Sequence, residues 1–226
     1  LSGGVDSMIT TYILAFLSGH YLFQKRGFRL QAAHLNYLNR DVSTGEAQFV
    51  CWFCNKIGVP IYVRTIHEIQ RRENNRDFYE SLTRDVRFDF YRKLPKTTKY
   101  PCVILGHNHD DIVENIWTNF AKGKFLFNLR KMEPLDLQDN VQLLRPLLFV
   151  PKSLIYDFSK MFHIAYLKNT TPVWSNRGKM RNEFLPAVER QFETQTDVEF
   201  VADSLHEYGE FIEETLFRPI IGNMKK

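Results

Sequence analysis

The chain opens on the stretch SGGVDS, Ser2–Ser7. It follows Leu1, which we predict to end a strand, and it precedes Met8–Leu17, whose apolar residues predict a buried helix. Glycines let a backbone approach oxyanions closely, and a helix N-terminus offers N–H groups and a favourable dipole. The stretch therefore predicts a phosphate-binding loop between a strand and a helix, with a serine-capped glycine turn as the simpler alternative.

The polar residues of this stretch refine the prediction. Ser2 and Ser7 add hydroxyl donors to the N–H groups around Gly3 and Gly4. Asp6 would repel a phosphate by itself, so a carboxylate at this point suggests a bridging Mg²⁺. No G-K-[ST] follows the glycines, which excludes the Walker type of loop. We therefore expect a phosphate ligand and Mg²⁺ here.

Strands and helices alternate along much of the chain. Predicted strands cover Arg29–Leu35, Val59–Ile66 and Pro101–Leu105, and predicted helices cover Thr44 to Gly58, Phe78–Leu94 and Asp110–Phe120. This order predicts an α/β fold with a doubly wound parallel sheet, in which ligands bind at the carboxyl ends of the strands. The opening loop, His34–Asn36 and Gly106–His109 each follow a strand, so we expect them to gather at one edge.

Composition and charge bound the class of protein. The 226 residues are 44% hydrophobic and 25% charged, as in globular proteins. There are 30 basic and 26 acidic residues, and this mildly basic balance permits a nucleic-acid partner without requiring one. Three cysteines do not form a disulfide framework, and no apolar run reaches the roughly 18 residues that a membrane span needs. We therefore expect a cytoplasmic protein without a membrane partner.

Two motifs resemble those of a known superfamily. Ser2–Ser7 resembles the PP-loop of the N-type ATP pyrophosphatases, which holds the pyrophosphate of ATP during substrate adenylation. Leu105–Asp111 with Glu114 and Asn115 resembles the G-H-x-x-D-D-x-x-E-T block of the tRNA(Ile)-lysidine synthetases and one group of tRNA thiolases. Carboxylates that face a triphosphate require a cation, although an acidic helix N-terminus would carry the same residues. The resemblance implies an adenine nucleotide alpha hydrolase-like fold.

Further segments resemble the lysidine synthetase branch. They are Ala33–Tyr37 with Arg40 (H-x-x-H-G-L-R, beside the adenine), Glu80–Phe88 (E-x-x-A-R-x-x-R-Y), Arg145–Leu148 (R-P-L-L, with Lys152 shortly after) and Trp174–Asn176 followed by Arg181 and Asn182 (D-x-S-N…R-N). Glu80, Arg84 and Arg87 share a helix face, which an ordinary salt-bridged surface helix would also explain. Tyr37 replaces the second histidine of the adenine segment, and the acidic pair that usually precedes S-N is missing.

The resemblance implies a PP-loop ATP pyrophosphatase domain over residues 1–150, followed by a mainly helical C-terminal region over residues 151–226. In the second region we predict a helix over Ser153–Phe162 and a loop over Leu167–Lys179. Helices then follow from Phe184, with a break near Pro219.

The resemblance also implies an activity and roles for individual residues. The enzyme would use ATP and Mg²⁺ to adenylate the wobble cytidine of a tRNA(Ile) with a CAU anticodon, and lysine or another amine would then displace AMP to form lysidine. The implied sites are pyrophosphate binding by Ser2, Gly3, Gly4 and Ser7; adenine binding by His34 and Leu35; further ATP contacts by Gly106 and His107; Mg²⁺ binding and catalysis by Asp6 and Asp111; catalysis by Arg84; and contacts to the substrate or tRNA by Glu114, Arg87, Arg145, Arg181 and Asn182.

The sequence leaves two alternative functions open, and it leaves open whether the protein forms a homodimer. A PP-loop tRNA thiolase would use cysteines, and Cys51 and Cys54 form a C-x-x-C pair. The simpler interpretation of that pair is two small buried residues of a helix. The other alternative is a degenerate ATP- and RNA-binding protein without turnover, which the changes at Tyr37 and before Ser175 would suit.

Overall fold

A computed structural model describes residues 1–38, 41–67, 76–95, 101–168, 175–192 and 197–224. The chain forms two compact units. The first unit comprises residues 1–107 and 134–170, and the second comprises residues 108–133 and 171–226. The functional boundary that we placed at residue 150 stays a prediction.

Helices and strands follow one another in the expected order. The described elements are α1 Val5–Ser18, α2 Tyr21–Lys25, β1 Ala32–Asn36, α3 Ser43–Lys56, β2 Ile61–Thr65, α4 Arg76–Lys93, β3 Val103–Ile104, α5 His109–Ala121, a 3-10 helix Leu126–Asn128, β4 Leu135–Gln138, β5 Val141–Leu144, α6 Lys152–Met161, α7 Asn176–Lys179, a π-helix Met180–Phe184, α8 Leu185–Phe192, α9 Asp197–Ile212, a π-helix Glu213–Phe217 and α10 Arg218–Met224.

The strands of the first unit pair mainly in parallel. β1 and β2 form one parallel pair, in register from Ala32 opposite Ile61 to Asn36 opposite Thr65. β3 pairs in parallel with β5, which also pairs with β4 in an antiparallel hairpin. The hairpin turn is Asp139–Asn140, and both residues have a positive φ, as a type I′ turn requires. The α/β fold with parallel pairing is confirmed, and the hairpin is an addition that we did not predict.

An apolar cluster holds the first half of α1 in position. Val5, Met8 and Ile9 from α1 pack with Phe53 from α3 and Ile155 from α6. All five side chains are buried, and the three from α1 belong to the first half of that helix. Burial of apolar side chains contributes on the order of 1.5–3 kcal/mol each. The first turn of α1, which follows the opening loop, is therefore held against the core.

The C-terminal half differs from the prediction at two points. The predicted loop is wrong for Asn176–Lys179, which forms α7 because Ser175 caps it and its Oγ accepts the Gly178 N–H at 3.0 Å. The predicted break near Pro219 is wrong as well, since the chain stays helical through that residue. A π-helical turn, Glu213–Phe217, lies directly ahead of Pro219, where a proline ring would otherwise clash with the carbonyl four residues earlier.

Among the described helices, none is both long and apolar enough to cross a membrane.

Candidate functional site

The opening loop is closed by its own serines. The Ser7 hydroxyl accepts the Ser2 N–H at 3.2 Å and donates to the Gly4 carbonyl at 3.0 Å. The Ser2 hydroxyl lies 3.1 Å from that of Ser7 and accepts the Gly4 N–H at 3.3 Å. Gly3 has a φ of +85°, a left-handed value that favours glycine, and its carbonyl accepts the Leu167 N–H at 2.8 Å. The hydroxyls thus shape the loop in addition to any contact with phosphate.

The N-terminus of α1 is capped by a glycine. Gly4 occupies the cap position with extended backbone angles, and it has no side chain with which to accept the N–H groups of the first turn. α5 is different, because Asn108 and Asp111 form a capping box there. The Asn108 amide oxygen accepts two N–H groups of the first turn, and Asp111 accepts the Asn108 N–H at 3.0 Å. Of these two helix starts, the one at α1 has a cap residue without a side chain that could accept a first-turn N–H.

Gly106 brings the end of β3 against the same turn. A Cβ added to Gly106 would lie 3.0 Å from the Ser7 nitrogen, 3.1 Å from the Asp6 carbonyl carbon and 3.2 Å from the Ser7 Cα. The end of β1 is equally close, since the Leu1 carbonyl lies 2.7 Å from Nδ1 of His34. The predicted gathering of the three segments at one edge is confirmed for these residues.

His34 is buried at the end of β1, with 6% of its surface exposed. Burial is the main cause that lowers the pKa of His34 below its ordinary value, so the ring is neutral at neutral pH. Its Nδ1 donates to the Leu1 carbonyl, which can only accept, and Nε2 is therefore an acceptor. This Nε2 is buried and has no hydrogen-bond partner among the described residues. Its neighbour Leu35 is half-buried on β1.

Asp6 and Lys152 form a close ion pair inside the first unit. The Lys152 ammonium lies 2.6 Å and 2.5 Å from the two carboxylate oxygens of Asp6, and about a fifth of each side chain is exposed. Lys152 is the first residue of α6, whose Ile155 belongs to the cluster that anchors α1. The sequence placed Lys152 beside the R-P-L-L segment but assigned it no role. Its contact with Asp6 places an ammonium group beside the opening loop.

Arg145 is buried beneath His107. Only 4% of Arg145 is exposed, its Nε donates to Nδ1 of His107 at 3.1 Å, and its Nη2 lies 3.5 Å from a carboxylate oxygen of Asp136. The arginine therefore orients the His107 ring directly after Gly106. The substrate or tRNA contact that we assigned to Arg145 stays a prediction.

Arg84 and Arg87 of α4 lie close to other residues of the first unit. Arg84 reaches Asp139 at 3.1 Å and lies over the Phe88 ring at 4.5 Å, so it fastens α4 to the hairpin turn. Burial raises the pKa of Tyr37, and the charge of the nearby Arg87 partly offsets that rise. The catalytic role assigned to Arg84 and the substrate contact assigned to Arg87 stay predictions.

In the second unit, two carboxylates and two arginines form a cluster. Arg181 lies 2.9 Å and Arg177 lies 3.2 Å from the same Asp111 oxygen. Arg181 also binds Glu114, and Nε of Arg177 lies 3.6 Å from Glu114. Both carboxylates are almost fully buried, and burial raises the pKa of Glu114 despite the two arginines. The D-D-x-x-E and S-N…R-N segments therefore meet within this unit.

Arg177 and Asn182 lie on the same segment as Arg181, and the substrate contact assigned to Asn182 stays a prediction. Arg177 was absent from our candidate residues, although its spacing of four from Arg181 would have placed both on one helix face. Asn182, a candidate for substrate contact, donates its amide to the Gly178 carbonyl at 2.8 Å. It lies in the π-helix Met180–Phe184, an irregularity that is frequent at functional sites.

Asp6 belongs to the first unit and Asp111 to the second, and each has a basic partner within its own unit. Within the part of the chain that the structure describes, no group of three or more His, Cys, Asp or Glu side chains could hold a metal ion. Magnesium binding by these two carboxylates stays a prediction.

The C-x-x-C pair lies on α3, with Cys51 half-buried and Cys54 buried against Ala32 and Val59. Burial raises the pKa of the Cys54 thiol to about 11. Because the thiolate is the form that binds metal, this thiol is a weak candidate for a cluster ligand. Arg40, Trp174 and the side chain of Glu80 lie outside the described residues.

In sequence, the chain is similar to a domain family and to several named proteins. Residues 1–188 match the model of the PP-loop domain family. The chain is 28% identical to the tRNA(Ile)-lysidine synthase of Chlamydia muridarum, over 95% of this chain and 64% of that protein. It is 32% identical to the tRNA(Ile)-lysidine synthase of Streptococcus pyogenes serotype M3, over 84% of this chain and 41% of that protein. The chain thus spans less than two thirds of the length of these relatives.

Among solved structures, the U34-tRNA thiolase NcsA from Methanococcus maripaludis, solved with its [4Fe-4S] cluster, shares the fold. The TM-score is 0.66 at 19% identity, over 93% of this chain and 70% of that chain. At this identity the likeness concerns the fold alone.

Proposed function

Because the chain belongs to the PP-loop domain family, we propose that it is an ATP-dependent tRNA-modifying ligase of the tRNA(Ile)-lysidine synthetase type. In this reaction the carbonyl oxygen of the wobble cytidine attacks the α-phosphorus of ATP, and pyrophosphate leaves. An amine, lysine by analogy with the relatives, then attacks the activated carbon and displaces AMP. Adenylation thereby converts a poor leaving group into a good one.

The observation that carries this proposal is the glycine-capped start of α1. Gly4 has no side chain that could cap the first turn, and a Cβ added to Gly106 would lie 3.0 Å from the Ser7 nitrogen. A pyrophosphate would accept the N–H groups of that turn and gain from the helix dipole. The ammonium of Lys152, at 2.5 Å from Asp6, adds positive charge at the same loop.

The adenine end of ATP also finds a suitable group. Nε2 of His34 is a buried acceptor without a hydrogen-bond partner among the described residues, and such a group is costly to leave unpaired. The exocyclic amine of adenine is a donor of the kind that this nitrogen would accept. Leu35, half-buried on the same strand, would supply apolar contact.

Magnesium fits the chemistry of the assigned ligands. Asp6 and Asp111 carry carboxylate oxygens, which are the ligands that Mg²⁺ prefers in proteins. When bound, the ion would neutralise charge on the phosphates of ATP. Lys152 contacts the Asp6 carboxylate within the first unit, and Arg177 and Arg181 contact that of Asp111 within the second.

The choice of lysidine synthesis over other PP-loop chemistry rests on the second unit and on the relatives. The S-N…R-N segment, which favours the lysidine branch, contributes Arg181 to the carboxylates of the D-D-x-x-E segment. Two relatives that cover most of this chain are named tRNA(Ile)-lysidine synthases. The buried Cys54 thiol, with its raised pKa, argues against a cysteine-held cluster on α3.

The adenylation step is tested by exchange of labelled pyrophosphate into ATP, with an unmodified tRNA(Ile) transcript that has a CAU anticodon. Asp6→Ala and the isosteric Asp6→Asn should both abolish exchange while keeping a cooperative thermal transition. Asp157→Ala is the matched control, because Asp157 is a largely exposed acid on α6 whose ion pair among the described residues is with Lys160 on the same helix. Exchange that persists in both Asp6 variants would refute adenylation at this loop.

The amine is identified in the same system with labelled lysine and ATP, followed by mass analysis of the nucleosides. Incorporation of lysine only when tRNA and ATP are both present supports lysidine formation. Pyrophosphate release without lysine incorporation would point to another amine, and sulfur incorporation from a donor would point to thiolation. If substrate tRNA supports neither pyrophosphate exchange nor pyrophosphate release, the protein binds its ligands without turnover.

A further inference from the structure

The segment that follows α5 combines basic and aromatic side chains on the surface of the second unit. We call Lys122–Lys131 the basic aromatic loop. Every residue from 121 to 127 is exposed, and the large rings of Phe125 and Phe127 are 49% and 46% exposed. Lys122, Lys124 and Lys131 are exposed as well. Large apolar side chains exposed in a cluster commonly mark a binding surface.

The charges of the loop divide into two groups. Arg130 is compensated, because it pairs with Glu199 and Asp203 of α9 at 3.2 Å and 2.6 Å. For Lys122, Lys124 and Lys131, no ion pair is found among the described residues. Nζ of Lys131 instead lies 5.1 Å from the centre of the Phe125 ring. The loop therefore presents three uncompensated ammonium groups around an exposed ring, which favours an anionic partner.

The loop backbone is held in place from several sides. The amide of Asn115 donates to the Arg130 carbonyl, and the amide of Asn119 donates to the Leu129 carbonyl at 2.8 Å. The ring of His206 on α9 donates to the Phe127 carbonyl at 2.9 Å. A Cβ added to Gly209 of α9 would lie 2.6 Å from the Phe127 Cβ, so the two backbones are in close contact. The loop is thus preorganised, which reduces the entropic cost of binding.

Two residues of the loop have strained backbone angles. Phe125 has a φ of +55° and Lys131 a φ of +45°, both in the left-handed region that bulky residues rarely adopt. They are the same two residues whose side chains contact one another on the surface. Strain of this kind persists only where the surrounding contacts impose it, and it is concentrated at functional sites.

We propose that the basic aromatic loop binds the unpaired nucleotides of an RNA, with a base stacked on Phe125 and phosphates against Lys122, Lys124 and Lys131. The proposal rests on the proposed function, in which the RNA is a tRNA, and adds the surface that receives its single-stranded loop. Stacking on exposed rings beside basic residues is how proteins bind single strands. An apolar protein partner would strip water from three ammonium groups without compensating them.

The test is the affinity for a fluorescent anticodon stem-loop of tRNA(Ile), measured by anisotropy without ATP over a range of salt concentrations. The triple variant Lys122→Gln/Lys124→Gln/Lys131→Gln should reduce the salt slope by about 2, since each phosphate contact to a single strand contributes about 0.7. Phe125→Ala should weaken binding roughly 5- to 150-fold through loss of stacking. The matched control, Lys25→Gln/Lys56→Gln/Lys160→Gln, removes the same charge from exposed sites elsewhere.

The outcomes separate this proposal from the proposed function. Loop variants that lose RNA affinity but keep ATP affinity and thermal stability, while the control triple binds as the wild type does, support the proposal. Loop and control variants with equal RNA affinity would overturn it and leave ATP chemistry untouched. Loop-dependent binding of polyglutamate in place of the stem-loop would indicate an acidic protein partner and overturn it as well. A wild-type chain that binds no RNA would contradict both proposals.

Discussion

Replacement of Gly106 by alanine tests the proposed binding of phosphate at the opening loop without removing a functional group. The new Cβ would lie 3.0 Å, 3.1 Å and 3.2 Å from three backbone atoms of Asp6 and Ser7, which is 0.2–0.4 Å short of the 3.4 Å at which ordinary contact begins. These atoms cannot yield easily, because the turn they form is anchored by Val5, Met8 and Ile9. The substitution therefore strains the start of α1 or displaces it.

The expected size of the effect follows from the cost of overpacking, which is about 1–3 kcal/mol for an added methyl group. If the loop keeps its position, the cost appears as a melting temperature lower by roughly 2–12 °C for a chain of this length. If the loop moves, the cost appears as ATP affinity weakened roughly 5- to 150-fold, since about 1.4 kcal/mol corresponds to tenfold. The losses in folding free energy and in ATP-binding free energy should add up to the overpacking cost of about 1–3 kcal/mol.

The assay combines isothermal titration with Mg·ATP and thermal unfolding of the same preparations. Gly45→Ala is the matched control, because Gly45 lies in α3 and a Cβ there meets nothing within 4 Å. This control should keep the ATP affinity and melt at the same temperature or slightly higher, as alanine favours a helix over glycine by up to about 1 kcal/mol. Gly106→Ala with both ATP affinity and melting temperature unchanged would refute the argument for a tight backbone approach.

Two further predictions concern buried ionisable groups. Burial raises the pKa of Cys54 to about 11, which leaves about one thiol in a thousand ionised at pH 8. Peptide mapping after mild alkylation should therefore find Cys102 modified in the folded protein and Cys54 modified only on unfolding. Prompt labelling of Cys54 in the folded protein would contradict this prediction. Burial also raises the pKa of Glu114 above its ordinary 4.5, so the folded chain holds that proton more tightly than the unfolded chain. The stability of the wild type relative to Glu114→Gln should therefore fall as pH rises above about 4.5, as urea unfolding at several pH values would measure; a rise would show that Arg177 and Arg181 outweigh burial.

Much of the α/β fold could be predicted from local pattern. Each strand of the β1–β2 pair is a short run bounded by turn residues, and helices α3, α4 and α5 begin and end within a few residues of the predicted bounds. The β4–β5 hairpin was missed although Leu135–Leu144 alternates around Asp139–Asn140, a favoured turn pair. Its strands are only four residues long, too short for alternation to distinguish them from a loop.

The sequence predicted which residue types the site would contain, but it did not predict which residues those side chains contact. The sequence indicated that Gly106 follows a strand, but only the fold shows that its backbone lies against Ser7. The contact of Arg145 with substrate or tRNA stays a prediction, and the sequence did not indicate that Arg145 is buried and donates to His107. Side chains such as Lys152 and Asp6 lie 146 residues apart in the chain, and no local pattern encodes the pairing of such distant charges.

Asn115 shows how a departure from a family motif can have a structural cause. The related motif has threonine at this position, and a threonine hydroxyl ends one bond nearer the backbone than the amide nitrogen of asparagine. In this chain the amide reaches across to the Arg130 carbonyl, so it fastens the far end of the basic aromatic loop to α5. Arg130 is itself fastened to α9 through Glu199 and Asp203. Asn115→Thr should therefore loosen Phe125 and Lys131 without touching either residue, which links a change in the acidic motif to the surface proposed to bind RNA.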